Sequence, residues 1–592
     1  MVLSLVNEKV GKVFEAFGLD KSLGAVSISN RADLSDLQCN GALQAAKVLK
    51  RRPLDIAHEM KGALENTGIF SQVTVDGPGF VNLTLSDEFI IDTFLSGKTE
   101  KRENPAPQKI IIDYGGPNVA KPLHVGHLRS AIIGEAIKRI ARELGHDVIA
   151  DIHMGDWGTP MGMLIAKLKD DHPEWPYFND KFSPSDEIGK PPLSAAELNT
   201  LYPQAAAQFK ENEAFAEKAR EATAQLQGGH PGYRKLWRHF VDLSIESIKI
   251  DFSALDVDFD LWLGESDADA SSHEVIDGLS KAGISEESQG AIVIDVAREQ
   301  DKTEMPPLIL RKKDGAATYA TTDLATIFQR VRDYKPDRIL YVVDQRQSLH
   351  FTQVFRAAGQ AGYIKEDALE HIGFGTMNGK DGKPFKTRAG GVMRLGDLIQ
   401  SAIDHALHEA GFSAEPADKE IKDMVAKIAV AAIKFGDLSN LRTTDYVFDL
   451  NEFIRFDGKT GPYIQYAAVR AGSVLEKAGV DETLSAPVVK SFANKAERAL
   501  TLSLMGLPAA LQRSFDKRMP SDLCEYAYDL ANKFSVFYHD CPIATEDNAE
   551  LRNFRLYLTQ KTQETLKKSL ECLAISVPKK MLRAPKPQSL AS

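Results

Sequence analysis

Short apolar runs and amphipathic stretches alternate in the middle of the chain. Residues 109–114 (Lys-Ile-Ile-Ile-Asp-Tyr) form an apolar run bounded by polar residues, which is typical of a buried parallel strand. Over about 125–144 the apolar positions recur every three or four residues, Gly145 follows as a C-cap, and 147–152 is apolar again. This order predicts a βαβ unit at the start of a doubly wound parallel sheet, to which 338–343 adds another buried strand.

The regions on either side of this unit have other patterns. Residues 40–50 are helical in period, 70–85 alternate around a glycine-rich turn and predict a β-hairpin, and 170–235 predict a helical insertion. The chain is predicted to begin with a small N-terminal α+β domain (1–95) and a linker (96–108), followed by a Rossmann-like doubly wound domain (109–400). The doubly wound domain carries insertions over about 170–310, which include strands at 291–296 and 306–311. A helical connector (401–454) and a C-terminal all-α helical bundle (455–592) complete the predicted order.

Composition excludes several classes of protein. The 592-residue chain has no apolar stretch near the ~20 residues of a membrane span. Its first six residues are followed by a charged stretch of helical pattern (NEKVGKVFEAFG), so we expect a cytoplasmic protein without a signal peptide. Its four cysteines are scattered, so we expect no structural zinc and no disulfide framework. The net charge of −11 argues against a nonspecific nucleic-acid binder. The basic run at 47–52 is either a solvated helix face or a docking patch for phosphates.

The most informative motif lies between the first predicted strand and the following helix. His124 and His127 are three apart, so we expect both to project from one face of the first helical turn. That turn presents free N–H groups and the positive end of the helix dipole to triphosphate oxygens, and Gly126 lets a flat base approach the backbone. Alternatively, the two histidines only cap the helix. Their place after a strand of a βαβ unit favours a binding site.

These residues resemble a known family. Residues 124–127 (His-Val-Gly-His) resemble the HIGH motif of class I aminoacyl-tRNA synthetases, and the wider string 118–129 together with 153–158 (HMGDWG) resembles the arginine-specific enzymes. Residues 77–82 (GPGFVN) resemble the appended N-terminal domain of these enzymes. Residues 461–467 (GPYIQYA) resemble the start of their helical anticodon-binding domain. The resemblance covers nearly the whole chain.

The resemblance implies an activity and roles for the domains. We expect an arginine–tRNA ligase that uses ATP, with Mg²⁺, to convert L-arginine to arginyl-adenylate and then transfers it to the 3′ end of tRNA(Arg). The resemblance implies that 1–95 binds the tRNA elbow, 109–400 is catalytic, 401–454 contacts the tRNA stem and 455–592 binds the anticodon. It also implies that arginine is activated only with tRNA bound. We expect a monomer.

The second class I signature, KMSKS, is missing. In its place stands 382–390 (GKPFKTRAG), which resembles the degenerate form of arginine enzymes. We expect Lys383, Lys386 and Arg388 in this glycine-flanked loop to neutralise departing pyrophosphate; a solvated basic loop is the less favoured alternative. By resemblance, Lys121 compensates for the missing signature.

Candidate residues for amino-acid specificity follow from the chemistry of arginine. Its guanidinium is a planar, permanent cation that binds carboxylates and aromatic faces. Tyr319 and Asp323 are four apart, so on a helix they share one face, where they form either a guanidinium receptor or a simple surface contact. By resemblance, the substrate site also includes Asp113, Gly116, Pro117, Asn118, His127 and Gln347. Gly116, in place of a common serine, and Pro160, in place of a common glutamine, depart from the family pattern.

Candidate RNA-binding residues lie in both terminal domains. They are Lys47, Lys50, Arg51 and Arg52 in the first domain, and Tyr463, Gln465 and Arg470 in the last. Two other functions remain possible from the sequence. A class I synthetase of another specificity, such as cysteine, should lack the acidic receptor and would often carry zinc-spaced cysteines. A non-catalytic tRNA-binding paralogue should have lost its histidines or its basic loop, and this chain keeps both.

Overall fold

The protein has an N-terminal α+β domain, a central domain on a parallel sheet and a C-terminal helical region. The computed structural model describes residues 2–31, 33–97, 106–179, 182–183, 189–313, 317–383, 385, 393–411, 418–480 and 482–581. Within these ranges, no helix is long and apolar enough to cross a membrane. Residues 98–105 of the predicted linker lie outside them.

The N-terminal domain packs helices on an antiparallel sheet. Its elements are α1 (Val2–Ala16), β1 (Val26–Ile28), β2 (Leu37–Cys39), α2 (Gly41–Leu49), α3 (Pro53–Glu65), β3 (Phe70–Asp76), β4 (Phe80–Leu85) and α4 (Asp87–Leu95), with strand order β1-β2-β4-β3. The predicted hairpin is confirmed, since β3 and β4 pair with Val75 opposite Val81. Gly79 ends its turn at a φ of +128°, with the Pro53 backbone 3.0 Å from where a Cβ would lie, so the turn needs glycine there.

The predicted βαβ unit opens the central domain. Its elements are β5 (Lys109–Tyr114), α5 (Val125–Glu143) and β6 (Asp147–Asp151), and α6 (Thr159–Asp171) follows. Residues 110–112 have no exposed surface because helices cover both faces of the sheet. The Tyr114 hydroxyl donates to the buried Glu135 carboxylate at 2.7 Å and so ties β5 to α5.

The insertion after α6 is helical and then mixed, as predicted. Its elements are α7 (Ala195–Glu211), α8 (Glu213–Gln227), α9 (Pro231–Ala254), α10 (Glu265–Lys281), β7 (Glu286–Ser288), β8 (Ala291–Ile294) and β9 (Leu308–Arg311). The three strands form an antiparallel sheet of order β7-β8-β9. The sequence pattern did not predict β7, whose three residues are polar and exposed. Helix α9 reaches the loop after β5, because the Ser244 hydroxyl accepts a hydrogen bond from the Ala120 N–H at 2.9 Å.

The chain then completes the parallel sheet on the other side of β5. Helix α11 (Tyr319–Tyr334) leads to β10 (Arg338–Val342), α12 (Ser348–Gln360), β11 (Leu369–His371) and β12 (Met377–Asn378). The sheet order is β11-β10-β5-β6, with Ile339 of β10 opposite Ile111 of β5. Because β6 lies on one side of β5 and β10 on the other, the connections diverge at β5. Such a switch point leaves a crevice at the carboxyl ends of the strands.

The C-terminal region is almost entirely helical. Its elements are α13 (Leu395–Glu409), α14 (Lys419–Leu438), β13 (Tyr446–Val447), α15 (Leu450–Phe453), α16 (Gly461–Lys477), α17 (Lys495–Leu504), α18 (Leu507–Asp516), α19 (Pro520–Asp540) and α20 (Ala549–Cys572). The sequence pattern suggested one helical stretch over 495–515, but the structure breaks it after Leu504. Pro508, in the first turn of α18, lacks the N–H that a continuous helix would need.

The two terminal domains are in direct contact. The Arg498 guanidinium on α17 contacts the carboxylates of Asp36 at 2.7 Å and Asp87 at 3.3 Å, and it donates to the Leu85 carbonyl at 3.0 Å. The Phe94 and Tyr557 rings also meet edge to face, with their centres 5.9 Å apart. The N-terminal domain therefore docks on the helical region.

Candidate active site

The crevice at the switch point gathers most of the candidate residues. Asp113 lies near the end of β5, and 116–127 follow it in sequence. Gln347 is exposed at the start of α12, just beyond β10. The loops after β5 and β6 pair directly, because the Gly155 N–H donates to the Pro117 carbonyl at 3.0 Å and the Val119 N–H donates to the Gly155 carbonyl at 2.9 Å.

His124 and His127 form an unusual helix cap. His124 is the N-cap residue of α5 in extended conformation, so it lies just before the helix and not in its first turn as expected from sequence. Its Nδ1 accepts from the Gly126 N–H at 3.0 Å, while His127 Nδ1 accepts from the His124 N–H at 3.1 Å. Because each Nδ1 accepts, each neutral ring carries its proton on Nε2. The two Nε2–H groups are therefore free to donate to a ligand.

Both imidazoles are neutral at physiological pH. Burial, reinforced by the neighbouring His124, lowers the pKa of His127 to about 3. Burial also lowers the pKa of His124, and the Lys121 ammonium adds to this effect. The rings lie 4.0 Å apart. A Cβ at Gly126 would lie 2.7 Å from His124 Cε1, so the capping ring itself requires glycine there. Capping thus uses the Nδ1 side of both rings.

The predicted basic loop is anchored beside this cap. The Val125 N–H donates to the Met393 carbonyl at 3.1 Å, and the Leu395 N–H donates to the Leu123 carbonyl at 2.9 Å. Lys383 is exposed on the incoming arm of the loop, whereas Lys386 and Arg388 lie outside the described residues. The Lys121 ammonium lies 4.8 Å from the centre of the Tyr202 ring on α7.

Tyr319 and Asp323 lie on one helix, in the first two turns of α11. Tyr319 is the first helical residue and is 70% exposed. His350, on the first turn of α12, brings its Nε2 to 2.5 Å from Asp323 Oδ2. Both side chains of this pair are about a quarter exposed, at 27% and 28%. The pair is therefore partly open to solvent.

A second carboxylate, Glu265, lies beside Asp323. Burial, followed by the negative charges of Asp323 and Asp156, raises the pKa of Glu265 to about 8. Its backbone N–H donates to the Met154 carbonyl at 3.0 Å, which holds the start of α10 against the loop after β6. Sequence reasoning missed both Glu265 and His350. No local motif marks either residue, because only the fold brings them to Asp323.

Asp113 is already paired within the protein. Arg330 of α11 contacts the carboxylates of Asp113 at 2.7 Å and Asp151 at 2.6 Å, and all three residues are buried. Any contact between Asp113 and a substrate cation must therefore share the carboxylate with Arg330. The triad also fixes α11, and with it Asp323, against the ends of β5 and β6.

The loop after β6 presents a histidine without partners. Within the described part of the chain, neither ring nitrogen of His153 has a hydrogen-bond partner although both are buried. Its φ of +40° is strained for a residue with a Cβ. Nearby, Gly116 (φ +40°) and Asn118 are exposed, so their groups are open to a ligand. Pro160 lies in the first turn of α6.

Comparison with known proteins identifies the family. The model for the catalytic domain of class I (R) tRNA synthetases matches residues 90–450, the arginyl tRNA synthetase N terminal domain matches 2–85 and the DALR anticodon binding domain matches 464–581. The arginine–tRNA ligase of Hyphomonas neptunium is 48% identical over 583 residues, covering 96% of this chain and 98% of that protein. This chain belongs to the arginyl-tRNA synthetase family. The sequence prediction is confirmed.

Further arginyl-tRNA synthetases agree with this assignment. The arginine–tRNA ligase of Alkaliphilus oremlandii is 45% identical over 586 residues, covering 98% of this chain and all of that protein. The crystal structure of arginyl-tRNA synthetase from Plasmodium falciparum has a TM-score of 0.77 at 25% identity, covering 98% of each chain. The solved structure of Thermus thermophilus arginyl-tRNA synthetase has a TM-score of 0.78 at 23% identity, covering 98% of this chain and all of that one, and supports the fold.

The basic run in the N-terminal domain of this family member is partly neutralised. Arg51 pairs with Glu59 at 3.1 Å and Arg52 with Asp55 at 2.8 Å, so these two guanidinium groups are held by α3. Lys47 and Lys50 are exposed beside Val48, which is 70% exposed.

The three candidates in the anticodon-binding domain have different surroundings. The Arg470 guanidinium lies between the Tyr466 ring at 4.5 Å and the Tyr538 ring at 5.3 Å, forming a stack at the surface. The half-buried Tyr463 donates from its hydroxyl to Asn532 at 2.8 Å. Gln465 is a correction to the sequence analysis. It is fully buried and its amide donates to the carbonyls of Lys427 and Ser576, so it cannot touch RNA in this fold.

Metal-binding residues are not evident in the described ranges. Among these residues, no group of three or more His, Cys, Asp or Glu side chains is arranged to hold a metal ion. All four cysteines are buried and unpaired with one another.

Proposed function

We propose that the chain is an arginine–tRNA ligase whose two reaction steps occur in the crevice between β5 and β10. The observation that carries this assignment is the juxtaposition of two neutral imidazole donors at a helix N-terminus with a carboxylate pair on the facing helices. The first group suits phosphates, and the second suits a guanidinium. Arginine and ATP together are the ligands that satisfy both.

In the first step, the arginine carboxylate attacks the α-phosphate of ATP and pyrophosphate leaves. The Nε2–H groups of His124 and His127 donate to phosphate oxygens as charge builds up on them. Their neutrality matters, because neutral donors stabilise the transition state without binding the triphosphate too tightly. Lys121, together with Lys383, Lys386 and Arg388 of the basic loop, neutralises the charge of the departing pyrophosphate. Mg²⁺ would accompany ATP and would supply further positive charge at the phosphates, since no group of metal-binding side chains is evident among the described residues.

The amino acid is selected by its guanidinium. We propose that Asp323 and Glu265 receive the cation, with the Tyr319 ring lying along its planar face. Binding a cation there also stabilises the ionised form of Glu265, whose pKa is raised to about 8 by burial and then by the negative charges of Asp323 and Asp156. The exposed Asn118, Gln347 and Gly116 backbone would contact the α-amino and carboxylate groups, whereas Pro117 is buried between Gly116 and Asn118 and would act only by shaping this loop. His153 is a further candidate there.

In the second step, the terminal hydroxyl of the tRNA attacks the adenylate carbonyl. The transfer RNA must then span the protein from the anticodon domain to the crevice. We propose that Lys47 and Lys50 contact backbone phosphates near the tRNA elbow. The Tyr466–Arg470–Tyr538 stack would contact unpaired anticodon bases, because single-stranded RNA is read mainly by stacking and base-edge contacts. We also infer a cytoplasmic monomer.

Pyrophosphate exchange into ATP tests the assignment. The exchange should depend on arginine and on tRNA together, and arginine should be attached to tRNA bearing an arginine anticodon. Exchange with a different amino acid would indicate another class I specificity. Tight tRNA binding without exchange or charging would indicate a non-catalytic paralogue. A His127→Ala variant, with the fold checked by circular dichroism, serves as the inactive control.

A further inference from the structure

A buried arginine lies in the second turn of α5, just after the histidine cap. Arg129 is only 2% exposed, and its Nε lies 3.1 Å from Oδ2 of Asp437 on α14, which is equally buried. Its Nη1 donates to the Gly375 carbonyl at 2.6 Å and to the Thr444 carbonyl at 3.2 Å. These four residues are called the α5 clamp below. A buried ion pair adds little stability over apolar side chains of the same size, so stability alone does not account for the clamp.

The clamp holds the arm of the chain that carries Lys383. Gly375 lies two residues before β12, which pairs with β13, and the other carbonyl in the clamp lies just before β13. The Phe385 N–H donates to the Met377 carbonyl of β12 at 3.1 Å, which folds the arm back on that strand. The place of the arm therefore follows from the place of Gly375, and Arg129 fixes Gly375 against α5.

The outgoing arm of the same loop is tied to the start of α5. The Val125 N–H donates to the Met393 carbonyl, and the Leu395 N–H donates to the Leu123 carbonyl. Arg129 supplies the corresponding tie for the incoming arm from the same helix. One short stretch of chain, residues 123–129, thus contains the histidine cap and holds the described ends of both arms.

We propose that Arg129 is a positioning residue that fixes Lys383 relative to the histidine cap. This inference rests on the proposed function, in which both groups act on the phosphates of ATP. The histidines donate to phosphate oxygens, and Lys383 neutralises the charge that develops on pyrophosphate as it leaves. The two groups stabilise one transition state only when they are held at the spacing that it requires. Because Arg129 is buried, it acts through the arm and does not touch the substrate.

Arg129→Lys loosens the clamp without removing its charge. Lysine keeps a cation beside Asp437 but lacks the planar fork, so it cannot hold the carboxylate and both carbonyls in the same geometry. The kcat of arginine-dependent pyrophosphate exchange, measured with saturating tRNA, should fall about 10- to 100-fold, since a displacement of roughly 1 Å produces losses of this order. The KM for arginine should stay within about twofold, because Asp323 and Glu265 lie on other helices and keep their contacts.

A double-mutant cycle with Lys383→Ala shows whether Arg129 acts through this arm. Independent sites give losses of kcat that multiply, which is additivity in free energy. If Arg129 places Lys383, the lysine contributes little once the clamp is loosened. The kcat of the double variant should therefore lie within about threefold of that of the more damaged single variant. Asp437→Asn, which keeps the shape of the carboxylate, should show the same non-additivity with Lys383→Ala.

Arg555→Lys is the matched control. Arg555 is a buried arginine on α20, with its Nε 2.7 Å from a Glu497 oxygen and its Nη1 2.6 Å from a Glu546 oxygen. It pairs within the helical region and makes no contact in the clamp. The substitution should lower the melting temperature, as Arg129→Lys does, because both disturb a buried ion pair. It should leave the kcat of exchange at the wild-type value.

Each outcome decides the role of Arg129. A lower kcat in Arg129→Lys, combined with non-additivity against Lys383→Ala, supports it. Losses that multiply in the cycle overturn it, and so does an unchanged kcat in Arg129→Lys. An equal loss of kcat in Arg555→Lys also overturns it, because general loosening of the fold would then explain the effect.

Two further results are separable from these. If Arg129→Lys does not fold, the cycle of Asp437→Asn with Lys383→Ala decides, and multiplying losses there overturn the role of the clamp. If wild type shows no arginine-dependent exchange with tRNA bound, the proposed function fails, and the inference fails with it. Multiplying losses in an active enzyme overturn the inference alone.

Discussion

Asp323→Asn is the substitution that tests the guanidinium receptor most directly. Asparagine keeps the shape of the side chain and removes its charge. Removing one partner of a fully buried ion pair costs about 3–5 kcal/mol. The Asp323 side chain is 28% exposed, and Glu265 remains as a second carboxylate, so the cost here should be smaller. We expect about 2–3 kcal/mol, which corresponds to roughly 30- to 150-fold in arginine affinity.

The loss of arginine affinity in Asp323→Asn is smallest if Glu265 takes over the binding of the guanidinium. With Asp323 neutral, one of the charges that raises the pKa of Glu265 is gone. More of the Glu265 carboxyl group is then ionised at neutral pH and can bind the cation in its place. The double variant Asp323→Asn with Glu265→Gln should therefore lose more affinity than the two single effects added together.

The assay is arginine-dependent tRNA charging at pH 7.5, with separate titrations of arginine and ATP. Asp323→Asn should raise the KM for arginine and leave that for ATP within about twofold. Inhibition by citrulline, whose ureido group is neutral, should change much less because no cation is left without a partner. If the variant binds arginine within a few-fold of wild type, the receptor lies elsewhere, and Asp113 is the next candidate.

Three further predictions concern the other parts of the site. Gly126→Ala should reduce pyrophosphate exchange by at least tenfold without lowering the melting temperature appreciably. The reason is that the new Cβ would lie 2.7 Å from the capping imidazole of His124. Unchanged exchange would mean that this cap is not part of the chemistry. The double variant Lys47→Glu, Lys50→Glu should raise the KM for tRNA several-fold at low salt and less at high salt, because salt screens contacts with phosphates. An effect that does not depend on salt would contradict an electrostatic contact. Arg470→Ala should weaken the binding of cognate tRNA about tenfold, because one stacked base is worth ~1–3 kcal/mol. It should weaken the binding of tRNA with a swapped anticodon much less. Equal losses for the two tRNAs would exclude a contact with the anticodon.

The local units of this fold are readable from the sequence. The apolar run at 109–114, the helix after it and the hairpin at 70–85 follow from short periodic patterns, and each occurs as predicted. The HVGH motif is equally local, because its chemistry depends on one helix N-terminus. Local patterns suffice here since backbone hydrogen bonding and the direction of neighbouring side chains are set within a few residues.

The boundaries and fine geometry of these units are less readable. The pattern over 495–515 suggests continuous helix, and only packing and Pro508 decide the break. Similarly, the spacing of His124 and His127 left open whether His124 lies in the first helical turn or caps the helix, and the structure makes it the N-cap residue. Helical period gives the face of a helix and says little about where the helix must stop to meet its neighbours.

Tertiary structure alone decided which distant residues complete the site. Glu265 and His350 reach Asp323 because α10, α11 and α12 converge at the switch point, and no spacing in the sequence encodes that convergence. Tertiary structure also decided the role of Gln465. This residue belongs to the GPYIQYA motif, but it is fully buried and its amide donates to the carbonyls of Lys427 and Ser576. A single sequence records the side chains and their local order. Their partners, burial and charge state depend on long-range packing, and it is these that determine the electrostatics of the crevice.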